Sequence, residues 1–252
     1  MKAINCLLIT TSNNRLGDTL HKTGVWLEDL AAPYFVFRDA GEFVTIASPK
    51  GGQVPLDPIC RSKEEETGNT KRFQGDTQAM YHFSHSLPLK EVRAEDFDLV
   101  FVAGGYGAMW DFPENEDLQR LLGDFIAQGK PVGLVGHAVV ALVPLTAKNG
   151  DPFVKGRGIT GFSKREEELM GVGEVSPFLL ETKLLSLGAY YRSGTEFSSY
   201  VVVDENIITG QNPASAVETV SRLLEWVRNR EGDIMSTAET FAVKYHPSHN
   251  GI

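Results

Sequence analysis

Hydrophobic residues occur in short runs that alternate with segments of helical spacing. Apolar runs bounded by glycine, proline or polar residues predict strands at 6–10, 43–47, 98–103, 131–135, 200–203 and 207–209. Between them, apolar side chains that recur every three or four residues predict helices at 26–37, 118–126 and 217–227. Uniformly apolar strands that alternate with amphipathic helices indicate an α/β protein, with a mostly parallel central sheet and helices on both of its faces.

The pattern also predicts how the chain is organised around this sheet. Residues 204–206 separate the last two predicted strands and predict a hairpin near the sheet edge. Residues 51–76 are polar and rich in proline and glycine, which predicts a long surface excursion rather than a linker. We expect one domain over 1–228, followed by a C-terminal extension at 229–252 that lacks clear periodicity and wraps the surface or frays.

Composition narrows the possible partners. The chain has 252 residues and a net charge of −9, which opposes attraction to nucleic acid or an anionic membrane surface. No apolar run approaches the roughly 20 residues of a membrane-spanning helix, and the amino terminus predicts a buried strand rather than a signal peptide. Two cysteines cannot form a disulfide framework, which favours the cytoplasm. Neither a phosphate loop nor a dinucleotide motif is present, so we expect a small-molecule ligand and no cofactor.

Ligand sites in a parallel sheet lie at the carboxyl ends of strands, and three junctions qualify. Glycines within 104–107 follow a buried strand and allow a tight turn whose amides form an anion-binding concavity. Strand 131–135 runs directly into an apolar helix, with Gly136 at the corner and His137 next, as in a nucleophile elbow. Three consecutive glutamates at 166–168 are typical of a solvated face at a helix start. Taken singly, each junction is also compatible with a purely structural role.

Together, these junctions resemble the ThiJ/PfpI superfamily, which is related in fold to the class I glutamine amidotransferases. The most similar branch contains chaperone-type proteins and the glutathione-independent glyoxalase III. The matching stretches follow in order within 1–228, at 23–33, 47–52, 56–58, 103–111, 129–132, 154–162 with Glu167, and 209–215. The resemblance implies a three-layer flavodoxin-like sandwich and a homodimer.

The resemblance also shows which part is missing. The family places a nucleophilic cysteine at the elbow, followed by His, Gly and Pro, whereas this chain has Gly136, His137, Ala138 and Val139. By resemblance, Glu167 orients His137, and Glu28 is the buried carboxylate that faces the absent thiol. Oxyanion or substrate contacts fall to Gly104, Gly105, Ala138 and to Tyr106, which stands where this branch often has His.

Glyoxalase and deglycase chemistry needs a thiolate that attacks an aldehyde carbon. Cys6 lies in the first apolar strand, which predicts an inert core residue. Cys60 lies in the polar excursion, and the sequence does not say whether it reaches the site. We therefore expect that the chain is not a standard glyoxalase III, deglycase or cysteine peptidase.

Two classes of function remain open. In the first, His137 with Glu167 is a general base and a buried, protonated Glu28 is a general acid, in a hydratase, isomerase or hydrolase of a small carbonyl compound. In the second, the chain is an inactive ligand-binding or chaperone-like homologue. Trp110 and Phe112 are candidates for its apolar surface, and the sequence is equally compatible with a buried role for both. The same two carboxylates and imidazole could ligate a metal, but no close spacing supports this and none is expected.

Overall fold

Nine strands form within residues 3–244, the part of the chain that the computed structural model describes, with side chains described for residues 3–230. The strands are β1 (Asn5–Ile9), β2 (Phe43–Ser48), β3 (Leu87–Pro88), β4 (Leu99–Val102), β5 (Val132–Val135), β6 (Gly158–Ile159), β7 (Tyr190–Tyr191), β8 (Val201–Asp204) and β9 (Ile207–Gly210). Seven form a sheet in the order β3-β2-β1-β4-β5-β9-β8, and β6 pairs with β7. Only β8 runs antiparallel to its neighbour in this sheet.

Helices cover both faces of the central sheet. They are α1 (Leu27–Asp39), α2 (Gly68–Gly75), α3 (Thr77–Ser84), α4 (Ala108–Asp111), α5 (Glu116–Ala127), α6 (Lys164–Met170), α7 (Leu180–Ser186) and α8 (Ala216–Lys244). The core on one face contains α4, α5 and α7, and the core on the other contains α1, α2, α3 and α8. The predicted three-layer flavodoxin-like sandwich is confirmed.

The central strands are apolar throughout because both of their faces are buried. In β4, Val100 and Val102 point into the core beneath α5, whereas Leu99 and Phe101 point into the core beneath α1 and α8. Side chains alternate between the two faces of a strand, so a strand covered on both sides needs apolar residues at every position. This explains why the sequence pattern predicts these strands to within a residue or two.

The excursion at 51–76 contains more helix than its composition predicts. It includes a short 3-10 helix, Pro58–Arg61, and the whole of α2. Thr67 caps α2, since its hydroxyl accepts the Thr70 N–H at 3.1 Å. Phe73 is buried against Tyr34 of α1, with ring centroids 5.3 Å apart. One apolar anchor and one cap therefore order a segment that is otherwise polar.

The hairpin and the C-terminal segment have different outcomes. The hairpin is confirmed, since β8 pairs with β9 and lies at the sheet edge. The extension at 229–252 stays a prediction. Helix α8 continues past residue 228 to Lys244, and residues 245–252 lie outside the described residues. Within 3–244, no helix is long and apolar enough to span a membrane.

Candidate active site

The predicted elbow is present where β5 ends. Val135 is the last residue of β5, and a 3-10 helix, Gly136–Leu142, begins at the next residue. Gly136 has φ +57°, in the left-handed region that glycine adopts without strain. A Cβ added at Gly136 would meet only the Asp29 Oδ2 atom within 4 Å, at 3.6 Å. The corner therefore has room for a side chain that it does not carry.

Asp29, in the first turn of α1, is the carboxyl group that faces this corner. It is 1% exposed, and its Oδ1 has no hydrogen-bond partner among the described residues. A Cβ added at Gly104 would lie 2.5 Å from Asp29 Oδ2, which is too close for any side chain. Residue 104, in the turn after β4, must therefore be glycine. Burial raises the pKa of Asp29 well above its ordinary value, and the charge of Glu28 adds to this rise. The neutral, protonated carboxyl is therefore favoured.

The prediction that Glu28 faces the elbow is wrong by one residue. Glu28 is only half-buried and points to the excursion, where it accepts hydrogen bonds from Thr67 Oγ1 at 2.5 Å and Asn69 Nδ2 at 2.8 Å. Successive side chains on an α-helix diverge by about 100°. Adjacent carboxylates on α1 therefore face different surroundings, and Asp29 takes the inward position.

His137 and Glu167 lie in direct contact, as the resemblance implies. The imidazole Nε2 lies 2.8 Å from Glu167 Oε1, and the Tyr106 hydroxyl donates to Oε2 at 3.0 Å. The imidazole packs against the rings of Tyr106 and Phe162, at centroid distances of 4.3 and 4.4 Å. Burial, and then the Glu167 charge, raise the pKa of the Tyr106 phenol, so it remains a donor. These contacts fix the orientation of His137.

Glu166 links the segments around this pair through four hydrogen bonds, and the sequence analysis did not identify it as a site residue. Its Oε2 accepts from the backbone N–H and the hydroxyl of Ser163, at 2.9 and 2.8 Å. Its Oε1 accepts from the Phe197 N–H and the Asn212 Nδ2, both at 2.8 Å. The solvated face predicted for 166–168 is wrong for Glu166 and Glu167, which are buried. Serine at 163 with glutamate three residues later is a capping-box pattern, and this signal in the sequence could have indicated the buried role.

A cavity of about 380 Å³ lies over Gly136. Its buried floor includes Asp29, Gly105, Tyr106, Gly136, His137 and Phe162, with Asn212 beside them. Its partly exposed rim consists of Trp26, Glu65, Met170, Phe197, Pro213 and Ala214. Of the residues predicted to contact a substrate, Gly105 and Tyr106 line the cavity, Gly104 lies against the Asp29 carboxyl, and Ala138 belongs to the core instead.

Neither cysteine can supply a thiolate to the cavity. Cys60 is 5% exposed, its Sγ accepts the Leu27 N–H at 3.3 Å, and burial raises its pKa to about 12. Cys6 is fully buried, and burial raises its pKa further. Neither residue lines the cavity. The thiol of Cys60 belongs to the core beneath α1 rather than to the site.

Two other predictions concern the surface and metal binding. Phe112 is fully buried and Trp110 packs against the same core, so the structure favours the buried role for both residues over the apolar surface. Trp110 lies in α4, and Phe112 follows directly as the C-cap of this helix. Among the described side chains, no group of three or more His, Cys, Asp or Glu residues is arranged to hold a metal ion.

Fold and site together define a three-layer α/β protein with an elbow at the carboxyl edge of its sheet. Residues 20–226 match the DJ-1/PfpI family model, and the chain belongs to the DJ-1/PfpI family. The resemblance seen in the sequence is thereby confirmed.

Relatives and solved structures agree with this assignment. The chain is 29% identical over 231 residues to the Saccharomyces cerevisiae glutathione-independent glyoxalase HSP31, covering 88% of this chain and 97% of that protein. It is 31% identical to the Schizosaccharomyces pombe glutathione-independent glyoxalase hsp3101, covering 81% and 87%. The crystal structure of glyoxalase III from Candida albicans is 26% identical, with a TM-score of 0.82 over 88% of this chain and 97% of that one. Rapid Encystment Protein 24 KDa of Francisella tularensis is 35% identical, with a TM-score of 0.85 over 89% and 99%.

Proposed function

We propose that this chain is an enzyme that acts on a small carbonyl compound by acid–base chemistry, without a thiol nucleophile. One observation carries the proposal. A buried carboxyl group with an unpaired oxygen, Asp29, and a carboxylate-bound imidazole, His137, line the same cavity over Gly136. Because members of this family are expected to carry their nucleophilic cysteine at that position, the inherited covalent route is closed.

The two groups suit opposite roles. The raised pKa of Asp29 keeps a proton available for a carbonyl oxygen, as in other sites where burial keeps a carboxylic acid neutral. The Glu167 carboxylate accepts a hydrogen bond from His137 Nε2, which places the lone pair of a neutral imidazole on Nδ1. That nitrogen removes a proton from water or from a substrate C–H.

Hydration illustrates the chemistry. His137 takes a proton from water, the water oxygen bonds to the carbonyl carbon, and the carbonyl oxygen takes the Asp29 proton. Isomerisation uses the same two groups on a C–H and the neighbouring oxygen. The names of the relatives, which are glutathione-independent glyoxalases, support an aldehyde as the substrate class.

A screen of small aldehydes and ketones with product analysis by NMR tests the proposal. General acid–base groups contribute roughly 10²–10⁴-fold, so His137→Ala and Asp29→Asn should each lower kcat by at least about 100-fold. Glu168→Gln, which removes an exposed carboxylate from the same run as Glu167, should leave turnover unchanged. Turnover that survives both His137→Ala and Asp29→Asn would contradict the proposal. Loss of turnover in Glu28→Gln but not in Asp29→Asn would return the acid role to Glu28.

The second candidate is a ligand-binding homologue without turnover. The packing of His137 against Tyr106 and Phe162 favours it, because the imidazole is only 4% exposed and the Tyr106 hydroxyl donates to the second oxygen of Glu167. Thermal stabilisation by an aldehyde that is recovered unchanged would support this candidate. We also propose a cytoplasmic location, because two cysteines cannot form a disulfide framework. The family resemblance supports a homodimer.

A further inference from the structure

The cavity combines acidic and aromatic side chains and has no basic counterpart. Among the described residues that line it, none is lysine or arginine, and two are carboxylic acids, Asp29 and Glu65. A third carboxylate, Glu167, lies buried behind His137. An anionic ligand would therefore lose its hydration in the cavity without gaining a contact with a positively charged side chain, and this makes its binding unfavourable.

The two acids differ in their surroundings. Asp29 lies on the buried floor, whereas Glu65 is half-buried at the rim, in the part of the excursion before α2. Within the described residues Glu65 makes no ion pair, while the next residue, Glu66, pairs with Lys71 at 3.2 Å and does not line the cavity. The rim thus presents a negative charge that the protein does not neutralise itself.

Aromatic rings accompany this charge. Trp26 and Phe197 belong to the rim, and Phe162 on the floor has its ring centroid 6.4 Å from that of Phe197. Phe197 has φ +55°, which is rare for a non-glycine residue, and its N–H donates to the buried Glu166. The Phe197 backbone is therefore held in an unfavourable conformation that keeps this residue at the rim. Aromatic faces carry partial negative charge and attract organic cations.

We propose that the rim binds an organic ammonium group, with Glu65 as its counter-ion and Trp26 and Phe197 as its aromatic contacts. The ligand is then a cationic carbonyl compound, with its carbonyl end on the floor at Asp29 and its ammonium end at the rim. This inference rests on the proposed function for the position of the carbonyl end. The ammonium site itself does not require turnover.

Two probes of the same shape isolate the charge. Choline and 3,3-dimethylbutan-1-ol differ by a quaternary nitrogen in place of a quaternary carbon, and isothermal titration measures the affinity of each for the full chain. A desolvated cation–π contact together with a counter-ion should make choline bind at least about tenfold more tightly than the alcohol. Glu65→Gln should weaken choline binding at least about fivefold and leave the alcohol unchanged. Glu66→Gln, with the same change in net charge on the same loop, should leave both affinities unchanged.

Each other outcome overturns the inference. Equal affinities of the two probes, absence of choline binding, or equal losses in Glu65→Gln and Glu66→Gln would remove the ammonium site. A preference for choline in a chain that turns over no carbonyl compound would contradict the proposed function and leave the ammonium site intact. Turnover of uncharged aldehydes without a preference for choline would contradict the ammonium site and leave the proposed function intact.

Discussion

At the scale of single residues, Gly136 sets the backbone conformation of the elbow. The backbone at the elbow is left-handed and the space above it is open, so a cysteine would fit with its Cβ 3.6 Å from Asp29 Oδ2. A side chain in this conformation costs about 1–2 kcal/mol. The chain therefore keeps the shape of the elbow without the strain that a nucleophile would impose.

Gly136→Cys should create a reactive thiol in the cavity. We expect native-state alkylation by iodoacetamide at least about tenfold faster than in the wild type, whose two cysteines are buried with raised pKa values. Mass spectrometry against time measures the rate. Gly136→Ala, which has the same backbone strain but no thiol, separates reactivity from loosening of the fold. No gain in labelling over this control would show that the space over residue 136 is closed in solution.

Asp29 should make folding stability depend on pH. Its unfolded carboxyl ionises near 3.8, whereas the folded carboxyl keeps its proton to higher pH, so ionisation favours the unfolded chain. The stability of the wild type should therefore fall relative to Asp29→Asn as pH rises from about 4, until the folded carboxyl also ionises. Urea unfolding between pH 4 and pH 8 measures the difference.

An exposed carboxylate provides the opposite control. The hydrogen bond from Arg72 lowers the pKa of Asp39, so its small stabilising contribution is present above its unfolded pKa and is lost as pH falls. Asp39→Asn should therefore differ from the wild type mainly above pH 4, with the opposite sign from Asp29→Asn. A pH-independent difference for Asp29→Asn would contradict the buried, protonated carboxyl.

The sequence predicts the residue types of the site better than their orientation. Motif order brings Gly136, His137 and Glu167 together, and the structure places them so. The sequence cannot decide between Glu28 and Asp29, because a shift of one residue on a helix changes the surroundings of a carboxylate without changing the motif. Phe162 and Phe197 reach the cavity only through tertiary packing, which no local spacing records.

At the scale of elements, the N-terminus of α6 depends on one buried carboxylate. Glu166 satisfies four donors, two from Ser163 and one each from Phe197 and Asn212. Glutamine carries no charge and offers only one acceptor oxygen, so at least one of these donors loses its partner. The helix that carries Glu167 and the loop that carries Phe197 are held by the same side chain.

Glu166→Gln should therefore lower the free energy of unfolding by at least about 2 kcal/mol, since each unsatisfied buried donor costs about 1–3 kcal/mol. Glu168→Gln removes an exposed charge from the same run and should change it by less than about 0.5 kcal/mol. Urea unfolding at pH 7 compares the two variants. Equal effects would show that the buried network contributes nothing specific.

Elements with a clear local pattern are the ones that the sequence predicts. Strands β1, β4 and β5 follow from their apolar runs, and helix α5 follows from buried residues that recur every three or four positions. The two-residue strands β3, β6 and β7 are too short to show a period, and α2 depends on one cap and one aromatic anchor. Short elements are fixed by contacts with distant residues rather than by local pattern.

At the scale of the whole molecule, the domain should be complete by residue 230. Among the side chains that the structure describes, the buried residues of α8 extend from Ala216 to Val227, and Arg228 forms an ion pair with Glu42 at 3.0 Å. A chain that ends at Arg230 should therefore unfold within about 0.5 kcal/mol of the full chain. Chemical denaturation measures this, and a larger loss would place part of the fold in the predicted extension.

Sedimentation of both chains tests the homodimer that the resemblance implies. A dimer that survives the truncation would place its interface on residues 1–230. A monomer in both cases would contradict the dimer.

The contact between α1 and α8 has a consequence for synthesis of the protein. One face of the sheet is covered by a core that joins residues near both ends of the described chain, from Ile4 to Val227. A nascent chain emerging from the ribosome can pair β1 with β2 and β4 while this core still lacks α8. Parallel strands with such distant partners form slowly. The apolar underside of α1 therefore lacks part of its final cover until α8, which begins at Ala216, has been translated, and it is exposed to aggregation during that interval.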